Sequence, residues 1–423
     1  MTLKSKRQAS KRKSCLLLMP LVYSMLVFNR HVEKKPTELP AQSAKKPRDM
    51  RLDALRGYFL ILMAAVHVPT PVSHALQEPL SYNGAAEGFI FLSACLAGLV
   101  YGKTYREKGW PIMSGRLWRR AGWIYCVHLA VLLPIVLVAW AFAGQVVPLA
   151  NHFHDFLVHP WGALALMFLL LHQPPLFDIL PLYVIFLGLT PPLLAVARRY
   201  GWGIVLTISA LGWLVVQCKL DARLIGDPSR WLPLRLGSFD LLAWQFLWVC
   251  GATLGETSLR HPLIKPRHRI VWAIPASAIV LVGLLSRHGL WPQAWWNPAL
   301  FLWLDKWTLG PLRLLNFAAW VVLLLAWNPH PPSRVLAIPA LLGRHSLAVF
   351  ALHLPLVVAA TTAIQMFALS DTVQTVIALL VIGLLFPWAA WLDHNNNRRA
   401  AKTSKSPPNV PVKPSFPPMP AAG

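Results

Sequence analysis

The chain is divided into apolar runs, most of them nearly as long as a bilayer is thick. They fall at about 55–70, 85–102, 121–143, 178–197, 201–218, 241–255, 270–286, 312–327, 340–365 and 371–392. A helix needs ~20 apolar residues to cross the hydrocarbon core, and a backbone in lipid must satisfy its own hydrogen bonds. The fold expected is all-α: a polytopic transmembrane helical bundle with about ten membrane-spanning helices. Composition excludes a soluble alternative. Only 13% of the 423 residues are charged and 56% are hydrophobic, too little charge to cover a water-facing surface. The net charge of +24 would suit nucleic acid. In a chain this apolar it reads instead as a positive cytoplasmic face against anionic membrane lipid, with no nucleic-acid partner. The five cysteines (Cys15, Cys95, Cys126, Cys218, Cys250) lie in or beside apolar runs without paired spacing, as small buried thiols do.

Charge in the loops sets the orientation. With a cytoplasmic N-terminus, the inside receives the six basic residues between Lys103 and Arg120, then Arg198-Arg199, Lys265 to Arg269, Arg334 and the basic tail. The outside receives Asn151 to His159, the mixed loop 219–240 and the Trp-rich loop 287–311. This holds only if the short run 161–171 is re-entrant or interfacial. The expectation is ten crossings with both termini inside. Residues 1–47 read as a basic extension around a 14-residue apolar segment, Cys15 to Phe28, with no small-x-small cleavage pattern after it. Residues 394–423, rich in proline and lysine, read as a disordered basic tail.

Ionisable groups inside apolar runs are costly and mark candidate function. Arg51-Leu52-Asp53-Ala54-Leu55-Arg56-Gly57 opens the first run and His67 closes it. Arg56 and His67 are three helical turns apart on one face, with ~17 Å between them along the axis, and Asp53 lies near that face. Glu87 begins the next run, Ala85-Ala86-Glu87-Gly88-Phe89-Ile90-Phe91-Leu92-Ser93. A short antiparallel connection would put Glu87 beside His67, fixing its tautomer and raising its basicity. A histidine so held can take a proton from an alcohol that attacks an acyl carbonyl. The competing readings are a satisfied core histidine and a glutamate paired with an arginine for helix packing. Farther on, Ser346 and His353 share a helix face, but no carboxylate is in register to complete a triad. There Arg344 reads as a partner for an anionic ligand and His353 as a pocket liner. His152, His154, Asp155 and His159 have metal-like spacing on a loop that fixes no geometry, so no metal site is expected. The run Arg116-Leu117-Trp118-Arg119-Arg120 is an inside anchor that could also meet a donor's phosphates.

Taken together, these motifs resemble the OpgC proteins. The resemblance rests on Arg51 to Gly57 with His67, on Ala86 to Ser93, and on Asp178-Ile179-Leu180-Pro181-Leu182-Tyr183. It also includes Lys306 to Phe317, with Gly310-Pro311-Leu312-Arg313-Leu314-Leu315-Asn316, and Leu342 to Leu354. It covers about 48–393 as one transmembrane acyltransferase domain. One departure is Ser93-Ala94, where the family usually has Ser-Gly. The resemblance implies a membrane acyltransferase, related to acyltransferase family 3, in the bacterial inner membrane, adding succinyl groups to periplasmic glucans. It implies no bound cofactor and an acyl-CoA donor, succinyl-CoA first. It links Arg56 and His67 to acyl transfer. The site expected has His67 and Glu87 as catalytic residues. Arg51, Asp53, Arg56, Ser93, Arg313, Arg344 and His353 bind substrate. A glucan or other polysaccharide is the acceptor, and glucan-synthesis machinery a possible associate. The alternative function is a transporter moving an acyl donor or glycan without chemistry. The third reading is a structural partner in a glucan-synthesis complex.

Overall fold

The computed structural model describes residues 49–220, 237–258, 268–290 and 298–405. Residues 1–48 and 406–423, with the expected extension, Cys15 and most of the expected tail, lie outside them. The described residues are helical, with no strand beyond an isolated bridge between Leu80 and Asn83. The longer helices are α1 (Met50–His67), α2 (Ala85–Ala141), α3 (Pro160–Phe168), α4 (Ile179–Tyr200), α5 (Trp202–Gln217) and α6 (Leu241–Ser258). They continue with α7 (Arg269–Arg287), α8 (Pro311–Trp327), α9 (Ser333–Arg344), α10 (Ser346–Met366) and α11 (Asp371–Lys405).

Five helices are long and apolar enough to cross a membrane: α2, α4, α7, α10 and α11 as far as Arg398. The helices α5 and α8 are apolar but shorter. Large apolar side chains point outward, among them Ile208, Ile270 and Leu379, each more than 60% exposed. Such a surface suits lipid and not water. At ~1.5 Å per residue, the 57 residues of α2 would stretch ~85 Å if straight. That is nearly three hydrocarbon thicknesses. Gly109 breaks it, at φ 79° and ψ 178°, immediately before Trp110-Pro111. Only glycine adopts that backbone without strain, and the two halves match the expected runs 85–102 and 121–143.

Two further boundaries depart from the sequence reading. The run expected as one span at 340–365 is two helices. His345, at φ −109° and ψ 27°, separates α9 from α10, and Arg344 and His345 both reach Asp393 of α11, at 3.5 and 3.1 Å. A hydropathy window runs through the break because Ala340 to Leu342 before it and Leu347 to Leu352 after it outweigh the short polar Arg344-His345-Ser346. The last helix continues to Lys405, past the 394 boundary read as the start of the tail. The nine-residue α3 is ~14 Å long, too short to cross.

Small residues let the helices that carry the site touch backbone to backbone. Gly98 and Gly102 of α2 lie against Ala252 and Glu256 of α6, and Gly251 and Gly255 of α6 lie against Phe91 and Cys95 of α2. A Cβ on Gly255 would lie 1.9 Å from the Cys95 carbonyl oxygen, and one on Gly98 2.1 Å from that of Ala252. Helix α1 meets α9 in the same way, with Gly57 against the Pro339 carbonyl and Gly343 against that of Asp53. Close small-residue crossings drive association where lipid removes the hydrophobic incentive.

Candidate active site

Helix α1 begins at Asp49, whose carboxylate caps it by accepting the Arg51 backbone N–H at 3.0 Å. The same carboxylate accepts the Arg51 guanidinium at 3.1 and 2.8 Å, and these bonds hold the Asp49 pKa below the ordinary carboxylate value. A second edge of Arg51 donates to the Asn328 side chain at 2.8 Å and the Pro329 carbonyl at 3.4 Å. Arg51, expected to bind substrate, is a latch between the start of α1 and the end of α8. Asp53 is buried where Gly343 crosses. Helix α1 ends at His67 because Val68 precedes Pro69, which disfavours helical backbone before it.

The inner face of α1 is matched by α10. Arg56 donates to the Ser346 hydroxyl, and His67 Nδ1 lies 3.1 Å from His353 Nε2, the rings stacked at 5.4 Å and 22°. These contacts come in the same order along both helices, so the helices run the same way. The rise between them is ~6 Å greater on α1 than on α10, a gap the long arginine side chain closes. Between the two polar contacts lies an aromatic floor. Phe89 of α2 sits under the Arg56 guanidinium at 5.9 Å, Phe350 stacks on Phe89 at 6.2 Å, and His353 meets Phe350 edge-on at 4.8 Å. His353 Nδ1 donates to the Phe350 carbonyl at 2.8 Å.

Glu87 is not beside His67. It is fully buried and accepts Arg313 of α8 at 2.6 Å and the Gly84 backbone N–H at 3.1 Å. Arg313 also donates to Glu78 and to the Leu304 carbonyl at 2.9 Å, and Arg287 of α7 donates to Glu78 at 3.0 Å. The cause is electrostatic. A carboxylate with no solvent contact must have a cation, and α8 brings one across the bundle. The expected imidazole–carboxylate pair is therefore replaced by two separate assemblies, a histidine pair and an ion cluster tying 78–87 to α7 and α8. Arg313, expected in substrate binding, belongs to that cluster.

The remaining expected residues are dispersed. Arg344 pairs with Asp393 at 3.5 Å. The Ser93 hydroxyl is buried with no hydrogen-bond partner among the described residues. His152 lies 3.2 Å from the Pro175 carbonyl, and His154 and His172 each lie 3.7 Å from Asp155. Among the described residues no group of three His, Cys, Asp or Glu could hold a metal ion. At the start of α4, the Asp178 carboxylate accepts the Ser238 backbone N–H at 3.1 Å.

A family model described as OpgC protein matches residues 48–397. The chain belongs to the OpgC family. No curated protein and no solved structure matches it. Membership in the OpgC family suggests a glucan-modifying acyltransferase, and Arg56, His67, Ser346 and His353 all lie inside the matched region. The OpgC-like departure at Ala94 has a local explanation: Ala94 is fully buried against Gly251, where a Cβ would meet its methyl at 2.8 Å. The alanine fills space that the glycine across the helix pair leaves open. The role of His353 as partner to His67 was missed in the sequence. The available signal was the pairing of two polar positions on α1 with two on α10, with Phe350 one turn before the second histidine.

Proposed function

We propose that this OpgC-family chain is an inner-membrane O-acyltransferase. It moves an acyl group, succinyl first among candidates, from a cytoplasmic acyl-CoA to a hydroxyl of a periplasmic glucan. His67 is the base. The hydroxyl proton passes to His67 as the hydroxyl oxygen bonds to the thioester carbonyl carbon. The C–S bond breaks, and the proton leaves with the thiolate as free thiol. Arg56 stands toward the N-terminal end of the same helix face, ~17 Å from His67 along the axis. Its cation suits the anionic groups of the donor, phosphate or carboxylate. The observation that carries this reading is the imidazole of His67 held at the C-terminal end of an arginine-to-histidine face. That face lies within the region matched to the family.

Ten crossings with both termini in the cytoplasm remain the topology we favour. Support comes from the helical counterpart of each apolar run: α1, the two halves of α2, α4 to α8, α10 and α11. A C-terminal tail labelled from the periplasmic side contradicts it. The function is tested with the purified full chain in proteoliposomes, given radiolabelled succinyl-CoA on one side and de-esterified glucan on the other. Label appearing in ester linkage on the glucan supports the enzyme. Net flux of unchanged donor or glucan, with no ester formed, supports a transporter and refutes the proposal.

A further inference from the structure

The contacts of His353 decide which nitrogen of His67 is free to act. A carbonyl oxygen only accepts, so the 2.8 Å contact with the Phe350 carbonyl puts the proton of His353 on Nδ1. A neutral imidazole has one N–H, which leaves His353 Nε2 with a lone pair alone. The 3.1 Å contact between that nitrogen and His67 Nδ1 is then a hydrogen bond only if His67 Nδ1 carries a proton. Neutral His67 is thereby left with its lone pair on Nε2, which has no hydrogen-bond partner among the described residues.

We infer that the Phe350 carbonyl and His353 form a neutral relay that fixes the tautomer and ring orientation of His67, leaving Nε2 as the proton-accepting atom. His353 is a positioning residue, acting through His67 and touching no substrate. The inference rests on His67 as the base in the reading above and names the group that replaces the carboxylate expected at Glu87. A second imidazole suits this place. It orients the first ring without an ion in an apolar interior, where an unpaired carboxylate is costly. A neutral partner stabilises the imidazolium less than a carboxylate does, so its loss costs less than the ~10⁴-fold seen when a triad aspartate is neutralised. The hydrogen-bond partner of a metal-bound imidazole typically carries about 10- to 100-fold, and that scale is taken for this relay.

The test uses the full chain in proteoliposomes with succinyl-CoA and de-esterified glucan. His353→Met keeps volume and removes the acceptor. His353→Gln keeps an amide oxygen at a similar reach, able to accept the His67 Nδ1–H. Both are compared at equal yield and equal monodispersity in detergent. His353→Met is expected to lower kcat about 10- to 100-fold with KM for both substrates unchanged, and His353→Gln to restore most of it. Wild-type kcat in His353→Met overturns the inference, as does a folded His353→Gln no better than His353→Met. A fully active His67→Ala strikes the underlying reading instead. An inactive His67→Ala beside a fully active His353→Met strikes this inference alone.

Discussion

Neutralising Glu87 and removing Arg313 should have unequal consequences, because the two partners depend on each other unequally. Arg313→Met leaves Glu87 at zero exposure with only the Gly84 N–H for company. Glu78 still holds Arg287 at 3.0 Å. Breaking a buried ion pair from one side costs about 3–5 kcal/mol. Glu87→Gln is milder. The amide oxygen can still accept from Gly84 and Arg313, and Arg313 retains Glu78 and the Leu304 carbonyl. Exchanging charge-assisted for neutral hydrogen bonds costs about 1–2 kcal/mol. The double variant Glu87→Leu with Arg313→Met removes both charges and should recover much of the loss, since an apolar replacement of a buried pair is often neutral. The assay is thermal unfolding of the detergent-purified protein, with acyl transfer measured on the folded fraction. The expected order of stability puts Arg313→Met below Glu87→Gln, with the double variant above Arg313→Met. Folded Glu87→Gln should keep its transfer rate. A Glu87→Gln protein as stable as wild type but inactive would place the carboxylate in the reaction and refute the assignment to the ion cluster.

Other consequences follow from the same geometry. Gly255→Val forces a side chain into the Cys95 carbonyl and should cost about 1–3 kcal/mol or more, read as lost membrane yield. Gly188→Ala, with nothing within 4 Å of its new methyl, serves as the control and should be tolerated. Arg56→Gln should raise KM for the acyl-CoA about 10- to 100-fold, the worth of one charge-assisted hydrogen bond, with a smaller effect on kcat. An unchanged donor KM removes Arg56 from donor binding. Asp49 has a folded pKa below its ordinary 3.8. Its contribution is therefore present above pH 3.8 and is lost as pH falls through the lower folded value. The group is 40% exposed, so Asp49→Asn should cost less than about 1 kcal/mol at pH 7. That gap should close in strong acid, and one that widens contradicts the latch.

Local pattern made the helices legible and left their partners obscure. Hydropathy located the ten apolar runs, and the basic stretch from Lys103 to Arg120 separated the two halves of α2. Hydropathy did not locate the break at His345, because the polar Gly343-Arg344-His345-Ser346 is short beside the apolar residues that flank it. The first-run arginine and histidine were legible as one face because helical spacing alone puts them there. The partner of His67 was not, because His353 is 286 residues away. Nor was the partner of Glu87, since Arg313 is 226 residues away. A buried charge demands a counter-charge, and most buried polar groups take a hydrogen bond. Which helix supplies each depends on how the bundle packs. Choosing the nearest candidate in the sequence paired His67 with Glu87, when each is satisfied from farther along the chain.

The most direct measurement is mass spectrometry of periplasmic glucan from cells lacking this protein, complemented with wild type or with His67→Ala at matched membrane abundance. Ester-substituted glucan should return with the wild-type chain, and the glucan should stay bare with His67→Ala. Full substitution by His67→Ala would contradict the role given to that imidazole.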